Sequence, residues 1–129
     1  MNIPENLKYS QSNEWIEIKG TLGTVGISDY AQDQLSDIVF AEVIVNEGDL
    51  VKKGDTIATI ESVKAAADVY SPLSGKIQSI NEQLDGAPEV INTDPYGVAW
   101  IVKLELSNSE EIDSLLDAEA YSNLIQSNE

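Results

Sequence analysis

Lys64 is the side chain on which chemistry can most readily be built in this sequence of 129 residues. Cysteine and histidine are both absent, which removes a thiol nucleophile and the commonest general base and metal ligand. Lys64 follows the alternating run Ile57–Ser62 and precedes a second strand-like run, Asp68–Tyr70, so it falls near the tip of a short hairpin. A lysine in that place is ordinarily just solvated, but small neighbours leave the stem of this one uncovered. A protruding lysine on a stiff turn is what a modifying enzyme needs to attach a cofactor by an amide bond.

Turn sequences surround the hairpin in a definite order. Two Gly-Asp pairs, Gly48-Asp49 and Gly54-Asp55, come before it, and each is followed by aliphatic or β-branched residues. The run Ser71–Gly75, which reads Ser-Pro-Leu-Ser-Gly, follows it with further turn chemistry. In this order the segments resemble the signature of the lipoyl/biotinyl carrier domains. The resemblance implies a mainly β fold with short flanking helices, a barrel-sandwich hybrid with the modified lysine at a hairpin tip and a helical C-terminus.

The residues beside the lysine separate two carrier chemistries. Biotin carriers typically flank the lysine with methionine, and the single methionine here is Met1. Lipoyl domains of the 2-oxo acid dehydrogenases usually place an acidic residue immediately before the lysine, where this chain has Val63. The segment Glu61–Ala65 instead resembles the lipoyl-lysine motif of the glycine cleavage system H-protein family.

The resemblance to this family extends over nearly the whole chain. It is carried by these segments: Leu7–Tyr9, Asn13–Trp15, Thr24–Gln32, Val39–Glu42, Val90–Trp100 and Leu115–Tyr121. The chain departs from the family pattern where the family usually has histidine, glycine, a Leu-Pro pair and glycine; the residues here are Asn13, Ser36, Ile44-Val45 and Ala99. None of these departures touches the lysine motif. They leave open the finer details of the arm cleft and of the turn after Val43.

The resemblance implies a non-catalytic carrier with lipoate bound covalently to Lys64. Such a protein carries an aminomethyl group from glycine decarboxylase to the tetrahydrofolate-dependent aminomethyltransferase, and electrons to dihydrolipoamide dehydrogenase. A lipoate ligase or lipoyl transferase would install the cofactor. Two other functions stay open: a lipoate delivery intermediate for 2-oxo acid dehydrogenases, which would use the same residues, and an unmodified interaction domain that kept the hairpin fold.

Further site residues follow from the match of position in the family. Ser12, Glu14 and Asp68 would line or neighbour a cleft into which the loaded arm folds, with Glu14 as the candidate partner of its ammonium group. Two simpler interpretations stay open: Glu14 as an exposed acid beside a buried Trp15, and Asp68 as the end of a hairpin strand. Glu61 and Ser62 are expected to help the lipoylating enzyme recognise the hairpin. We expect no catalytic residue and no metal site.

Length and charge limit the classes of partner. We expect a single domain, 1–129, with a lipoyl-like core at about 22–106 and a helical segment at about 107–127. The net charge of −16 and the absence of arginine make nucleic acid and anionic membranes poor partners. No apolar run is long enough for a membrane helix, and the start of the chain has neither a signal nor a transit pattern. We expect a monomer, cytoplasmic in a bacterium or in the mitochondrial matrix if it is a processed eukaryotic protein.

Hydrophobic periodicity predicts the individual elements. The predicted strands and loop are Trp15–Ile18, Leu22–Ile27, Ile38–Val45, Lys76–Ile80, the loop Asn81–Asp94, and Trp100–Leu106. Ser28 is the predicted N-cap of a helix over Asp29–Asp37. After Leu106 the apolar residues recur at helical spacing, with Ser107 and Glu110 as a possible capping box and Asp117 as a cap for a second segment. One bent helix and two short ones both fit this pattern.

Overall fold

The structure of the protein is a computed structural model, and it describes residues 1–127. Its strands are β1 (Lys8–Tyr9), β2 (Glu14–Lys19), β3 (Leu22–Ile27), β4 (Ile38–Val43), β5 (Leu50–Val51), β6 (Thr56–Ser62), β7 (Ala66–Tyr70), β8 (Gly75–Ile80) and β9 (Val102–Leu106). Its helices are α1 (Asp29–Leu35), α2 (Gln83–Gly86), α3 (Val90–Thr93), a 3-10 helix (Ser109–Ser114) and α4 (Ala118–Ser127). Within these residues no helix is long and apolar enough to span a membrane.

The strands form two antiparallel sheets whose apolar faces meet. The larger sheet has the order β1-β2-β3-β9-β8-β5, and the smaller sheet has the order β4-β6-β7. Alternation along each strand sends one set of side chains inward. Buried residues of both sheets therefore share one core, which includes Val25, Ile77, Leu104, Ile57, Ile60 and Val69. The predicted mainly β sandwich with short helices and a helical C-terminus is confirmed.

The two Gly-Asp pairs form equivalent turns. Gly48-Asp49 exchanges two backbone hydrogen bonds with Ile77, both at 2.8 Å, and Gly54-Asp55 exchanges two with Ser71, at 2.8 and 2.7 Å. In each turn the aspartate carboxylate accepts the N–H of the residue three positions earlier at 2.8 Å. The glycines have φ of 94° and 95°, in the left-handed region that favours glycine. The two Gly-Asp pairs of the sequence therefore have the same geometry in the structure. The second of these turns leads directly into β6 and fixes the direction in which that strand starts.

A second apolar cluster joins the two ends of the described chain. The rings of Tyr9 and Tyr121 stack at 4.5 Å between centroids with 2° between their planes. Leu116 exchanges two 2.8 Å backbone hydrogen bonds with Tyr9, which attaches the segment before α4 to β1. The Trp15 indole N–H donates to Pro95 O at 2.9 Å. These contacts hold the β1–β2 loop, which forms part of the site described below.

Asn13 fits its place despite departing from the family pattern. Its φ of 75° lies in the left-handed region, which asparagine tolerates better than most residues. The Tyr121 hydroxyl donates to Asn13 Oδ1 at 2.9 Å, and the Ser28 N–H donates to Asn13 O at 3.0 Å. Burial raises the pKa of Tyr121 to about 12, so its hydroxyl stays a neutral donor at physiological pH.

Several predicted elements are present with different ends. Ser28 caps α1 as predicted, its Oγ accepting the Ala31 N–H at 3.1 Å. The helix ends at Leu35 rather than Asp37, because Ser36 turns out of it with φ 67° and ψ −152°. β4 stops at position 43, β9 starts at position 102, and the predicted loop 81–94 contains α2 and α3.

The C-terminal segment resolves into two helices. The predicted capping box of Ser107 and Glu110 is wrong, because Asn108 caps the 3-10 helix and its Oδ1 accepts the Glu110 N–H at 3.1 Å. Leu115 is extended and separates the two helices. Asp117 caps α4 as predicted, with its Oδ1 accepting the Ala120 N–H at 2.8 Å. The arrangement with two short helices is the one found.

Candidate functional site

Lys64 lies exposed in the turn between β6 and β7, as the alternation of the two strands predicted. The Ser62 N–H donates to Ala65 O at 2.8 Å, which closes the turn. Ser62 Oγ accepts the N–H groups of Lys64 and Ala65 at 3.1 and 3.0 Å. A serine side chain that satisfies backbone groups in this way stiffens a turn. Lys64 therefore projects from a backbone whose shape is fixed by the residue two positions earlier.

The turn is also fastened to the rest of the molecule. The Val63 N–H donates to Asp37 O at 3.0 Å, in the connection between α1 and β4. Lys64 Nζ lies 3.5 Å from Gln34 O, near the end of α1. That distance is at the outer limit of a hydrogen bond, so the ammonium group is held loosely and stays available. Glu61, the residue of β6 just before Ser62, has an exposed side chain.

A cleft of about 700 Å³ opens on the side of the molecule to which β7 leads. The β1–β2 loop lines it with Ser10, Gln11 and Ser12, the start of β2 with Glu14, and the end of β7 with Tyr70. The remaining lining residues come from the second Gly-Asp turn, the β7–β8 turn and the end of the 3-10 helix: Lys53, Gly54, Ser71, Pro72, Ser114 and Leu115. The structure thus brings Ser12 and Glu14 together at one cleft, and the docking of an arm there stays a prediction.

Asp68 does not line this cleft. It is exposed on β7, two residues before Tyr70, and it pairs with Thr59 of β6. Residues two apart in a strand share a face, so Asp68 lies between the Lys64 turn and Tyr70 on the same face of the sheet. Asp68 therefore lies beside the route from the lysine to the cleft. The interpretation of Asp68 as the end of a hairpin strand is wrong, because β7 continues to Tyr70.

Glu14 is a buried carboxylate with hydrogen bonds to both oxygens. Its side chain is 1 % exposed, so the interpretation of Glu14 as an exposed acid is wrong. Ser10 Oγ and Ser12 Oγ donate to Oε1 at 2.5 and 2.6 Å, and the Tyr70 N–H donates to Oε2 at 3.3 Å. Burial raises the pKa of the Glu14 carboxyl, while the two serine hydrogen bonds oppose that rise.

The carboxylate of Glu14 has hydrogen-bond donors but no positive partner. Among residues 1–127 the one ion pair joins Lys19 to Glu17, away from the cleft. A buried charge without a counter-charge is unfavourable. Lys53 also lines the cleft, but its Nζ donates to Ser114 Oγ at 2.6 Å and not to Glu14. A further cationic group that entered the cleft beside Glu14 would therefore stabilise the ionised carboxylate.

Ser10 and Tyr70 are site residues that the sequence reasoning missed. A sequence signal for Ser10 existed, since Ser10, Ser12 and Glu14 recur at a spacing of two and would share one face of an extended segment. No comparable signal marked Tyr70, because its contribution is a backbone N–H brought beside Glu14 by the fold.

Residues 7–128 match the family model described as Glycine cleavage H-protein. The chain belongs to the glycine cleavage H-protein family.

Individual H-proteins support this assignment along almost the entire chain. The chain is 46% identical over 124 residues to a glycine cleavage system H protein of Carboxydothermus hydrogenoformans, covering 96% of this chain and 95% of that one. It is 51% identical over 120 residues to one of Symbiobacterium thermophilum, covering 93% of each. A crystal structure of a glycine cleavage system H protein from Mycobacterium marinum superposes with a TM-score of 0.82 at 31% identity, covering 94% of this chain and 97% of that one.

Family membership fixes the general function. The protein is a lipoyl-bearing shuttle of the glycine cleavage system and a carrier rather than an enzyme, as the sequence analysis predicted. H-proteins carry lipoate and work with the other components of that system. Residues 1–127 contain no cluster of acidic, histidine or cysteine side chains that could hold a metal ion.

Proposed function

We propose that lipoate is bound to Lys64 by an amide and that the resulting arm docks in the cleft beside Glu14. The observation that carries the proposal is the exposed lysine on a turn whose backbone is fixed by Ser62. Lipoate supplies a strained ring disulfide, which opens more readily than an unstrained one because the ring prevents the preferred dihedral angle.

The partners of the arm are proposed from the same family. Glycine decarboxylase would supply an aminomethyl group, the tetrahydrofolate-dependent aminomethyltransferase would receive its one-carbon unit, and dihydrolipoamide dehydrogenase would take the electrons. A flexible arm on a rigid turn raises the effective concentration of the reactive end at each partner. The seven lysines against 23 acids give this chain a strongly negative surface, which favours partners with basic docking faces.

Glu14 is the proposed counter-charge for the ammonium group of the loaded arm. Its carboxylate already accepts from Ser10, Ser12 and Tyr70, which orients it and leaves a cation as the missing partner. A strand rises about 3.3 Å a residue, so the five residues of β7 cover about 13 Å between the end of the Lys64 turn and Tyr70. Asp68 lies along that path and would attract the same positive group as the arm folds back.

The lipoylating enzyme, a lipoate ligase or a lipoyl transferase, would meet the turn first. Ser62 contributes by shaping the backbone, since its hydroxyl is already engaged by Lys64 and Ala65. The exposed carboxylate of Glu61 is the group left free for direct contact. We therefore propose different roles for these two residues in recognition.

Intact mass after co-expression with a lipoate ligase tests the attachment. The expected result is a lipoyl increment that peptide mapping places on Lys64. Lys64→Arg should keep the fold and lose the increment, because arginine cannot form the amide, while Lys76→Arg, at an exposed position of β8, should keep it. No increment on the folded wild type, with a ligase active on a control protein, would favour the unmodified interaction domain.

The lifetime of the loaded arm tests the cleft. Glu14→Gln should leave lipoylation of Lys64 unchanged but shorten the time for which the aminomethyl group resists release into water. Removing one partner of a buried charge pair typically changes affinity by more than tenfold. An unchanged lifetime in Glu14→Gln would remove Glu14 from the arm site. Methylamine transfer to the aminomethyltransferase distinguishes the shuttle from a protein used for lipoate delivery alone.

A further inference from the structure

We propose that Asn92 is a positioning residue for the lipoyl-lysine turn, an inference that rests on the proposed attachment at Lys64. Asn92 belongs to α3, and its carboxamide reaches the connection between α1 and β4. Nδ2 donates to Ser36 O and to Gln32 Oε1, both at 2.9 Å. Oδ1 accepts the Ile38 N–H at 2.8 Å. One side chain thus holds both ends of this connection, and we call these three hydrogen bonds the Asn92 clasp.

The clasp spans a backbone conformation that the residue there does not favour. Ser36 has φ 67° and ψ −152°, a region that is almost exclusive to glycine. A non-glycine residue stays in such a region when the surrounding structure forces it to. The clasp supplies that force, because it fixes the carbonyl of Ser36 and the N–H of Ile38 on either side of Asp37.

Asp37 is also the contact point of the lysine turn. Its carbonyl accepts the Val63 N–H at 3.0 Å, one residue before Lys64. Ile38 is the register partner of Ser62, and the β4–β6 ladder is irregular between positions 38 and 40. Regular pairing of β4 with β6 is therefore interrupted beside the lysine turn. Contact between the clasp and the lysine turn runs through a single intervening residue.

Loss of the clasp should loosen the lysine turn without removing the lysine. A lipoate ligase must place the Lys64 amine against activated lipoate, and an amine that samples more positions binds productively less often. We expect a higher KM for the protein substrate with little change in kcat. The fold itself should survive, because the two sheets and their shared core do not depend on Asn92.

The test compares Asn92→Ala with a matched control in the full-length protein. Asn81 also makes three side-chain hydrogen bonds, from Nδ2 to Val98 O and Trp100 O at 2.8 and 2.6 Å and from the Gln83 N–H to Oδ1 at 3.2 Å. It is more buried than Asn92 but bonds neither the α1–β4 connection nor the lysine turn. Loss of stability alone would therefore affect Asn81→Ala at least as much.

Lipoylation kinetics and hydrogen exchange are the two measurements, made well below the melting temperature. We expect Asn92→Ala to lower kcat/KM for a purified lipoate ligase by about 3- to 30-fold, and to speed exchange of the Val63 N–H. Asn81→Ala should stay within about twofold of the wild type in both. Equal kinetics and equal Val63 exchange in the two variants would overturn the inference.

A second substitution separates positioning from any other effect of Asn92. Glycine adopts the Ser36 conformation without strain, so Ser36→Gly should restore part of the kcat/KM lost in Asn92→Ala. Additive effects in the double variant would count against the clasp. If the wild type itself is not modified at Lys64, the proposed function fails; if Lys64 is modified but Asn92→Ala behaves as Asn81→Ala does, the inference alone fails.

Discussion

At the scale of single residues, the site combines a loosely held lysine with a buried, firmly held carboxylate. Lys64 is exposed and held loosely, whereas Glu14 is buried and held by three donors. An exposed lysine suits modification by an enzyme. A fixed carboxylate suits the repeated binding of the loaded arm in one position. Ser62 and Ser10 each determine the geometry of one of these two residues.

The burial of Glu14 predicts a pH dependence of stability. Its pKa in the folded protein is raised above the ordinary 4.5 by desolvation. Between 4.5 and the raised value the folded state binds more protons than the unfolded state, so the stability contributed by Glu14 falls as the pH rises through that window. Glu14→Gln should therefore melt at a higher temperature than the wild type at pH 7, and the gain should shrink below pH 4.5.

Thermal melts of both proteins from pH 3.5 to pH 8 check this. Glu17→Gln, on the same strand, is the control, because Glu17 is partly exposed and should leave the shape of the profile unchanged. A glutamine variant less stable than the wild type at neutral pH would mean that the ionised carboxylate is better compensated than its hydrogen bonds indicate.

Ser36 predicts a stabilising substitution. Its φ of 67° with ψ −152° carries strain of about 1–3 kcal/mol in a non-glycine residue. Ser36→Gly removes the strain but adds about 0.5–1 kcal/mol of chain entropy. The net gain should be about 1 kcal/mol, seen as a higher urea midpoint at unchanged slope. Ser36→Ala keeps the Cβ and should bring no gain, and equal midpoints for both variants would contradict the account.

Site residues could be predicted from the sequence where their partners lie nearby in the chain, and not where their partners are distant. Lys64 and Ser62 were found because they lie within one motif whose spacing sets the turn. The burial of Glu14 was not predicted, since it depends on Tyr70, which is distant in the sequence and adjacent in the fold. The clasp of Asn92 likewise depends on partners more than fifty positions away in the chain.

At the scale of elements, the longer strands were predicted well because a half-buried strand has a strict period of two, whereas the two-residue strand β1 is too short to show that period and was missed. Element ends were less accurate. The helix α1 was extended to Asp37 in the prediction, because nothing in the residue type of Ser36 announces a glycine-like backbone. The capping box at Ser107 was displaced by Asn108, which has the same chemistry one residue later. Where two neighbouring residues could end or cap a helix about equally well, tertiary packing decides between them.

The repeated Gly-Asp turns predict two nearly equal penalties. Gly48 and Gly54 have φ of 94° and 95°, and an added Cβ at either would meet nothing within 4 Å. The cost of alanine there is therefore conformational alone, about 1–2 kcal/mol at each site. Gly86, at the end of α2, has the same open space without a positive φ, so Gly86→Ala should be close to neutral. Urea unfolding of the three variants measures this, and unequal losses at Gly48 and Gly54 would show that the two turns differ in energy.

At the scale of the whole molecule, the charge is the dominant feature. The chain has 23 acidic and 7 basic residues, and the residues 1–127 form one ion pair, Lys19 with Glu17 at 3.7 Å. Attachment of lipoate to Lys64 would remove the positive charge of that lysine. The acidic surface was evident from composition, and it follows that repulsion among carboxylates opposes the compact state.

Salt should therefore stabilise this protein. The screening length falls from about 30 Å at 0.01 M to about 3 Å at 1 M, so added salt weakens repulsion across the whole surface. One exposed ion pair is too little to offset that gain, since such a pair contributes about 0–1 kcal/mol. We expect the melting temperature to rise by about 5 °C between 0.01 and 0.5 M NaCl, equivalent to about 1 kcal/mol at this size. A variant in which the exposed residues Glu47, Glu82 and Glu89 are changed to glutamine should show a smaller rise.

A comparison of salts is the control. KCl should act as NaCl does, which separates screening from ion-specific binding. A melting temperature that stays flat or falls with salt would mean that the carboxylates are balanced locally rather than repelling one another.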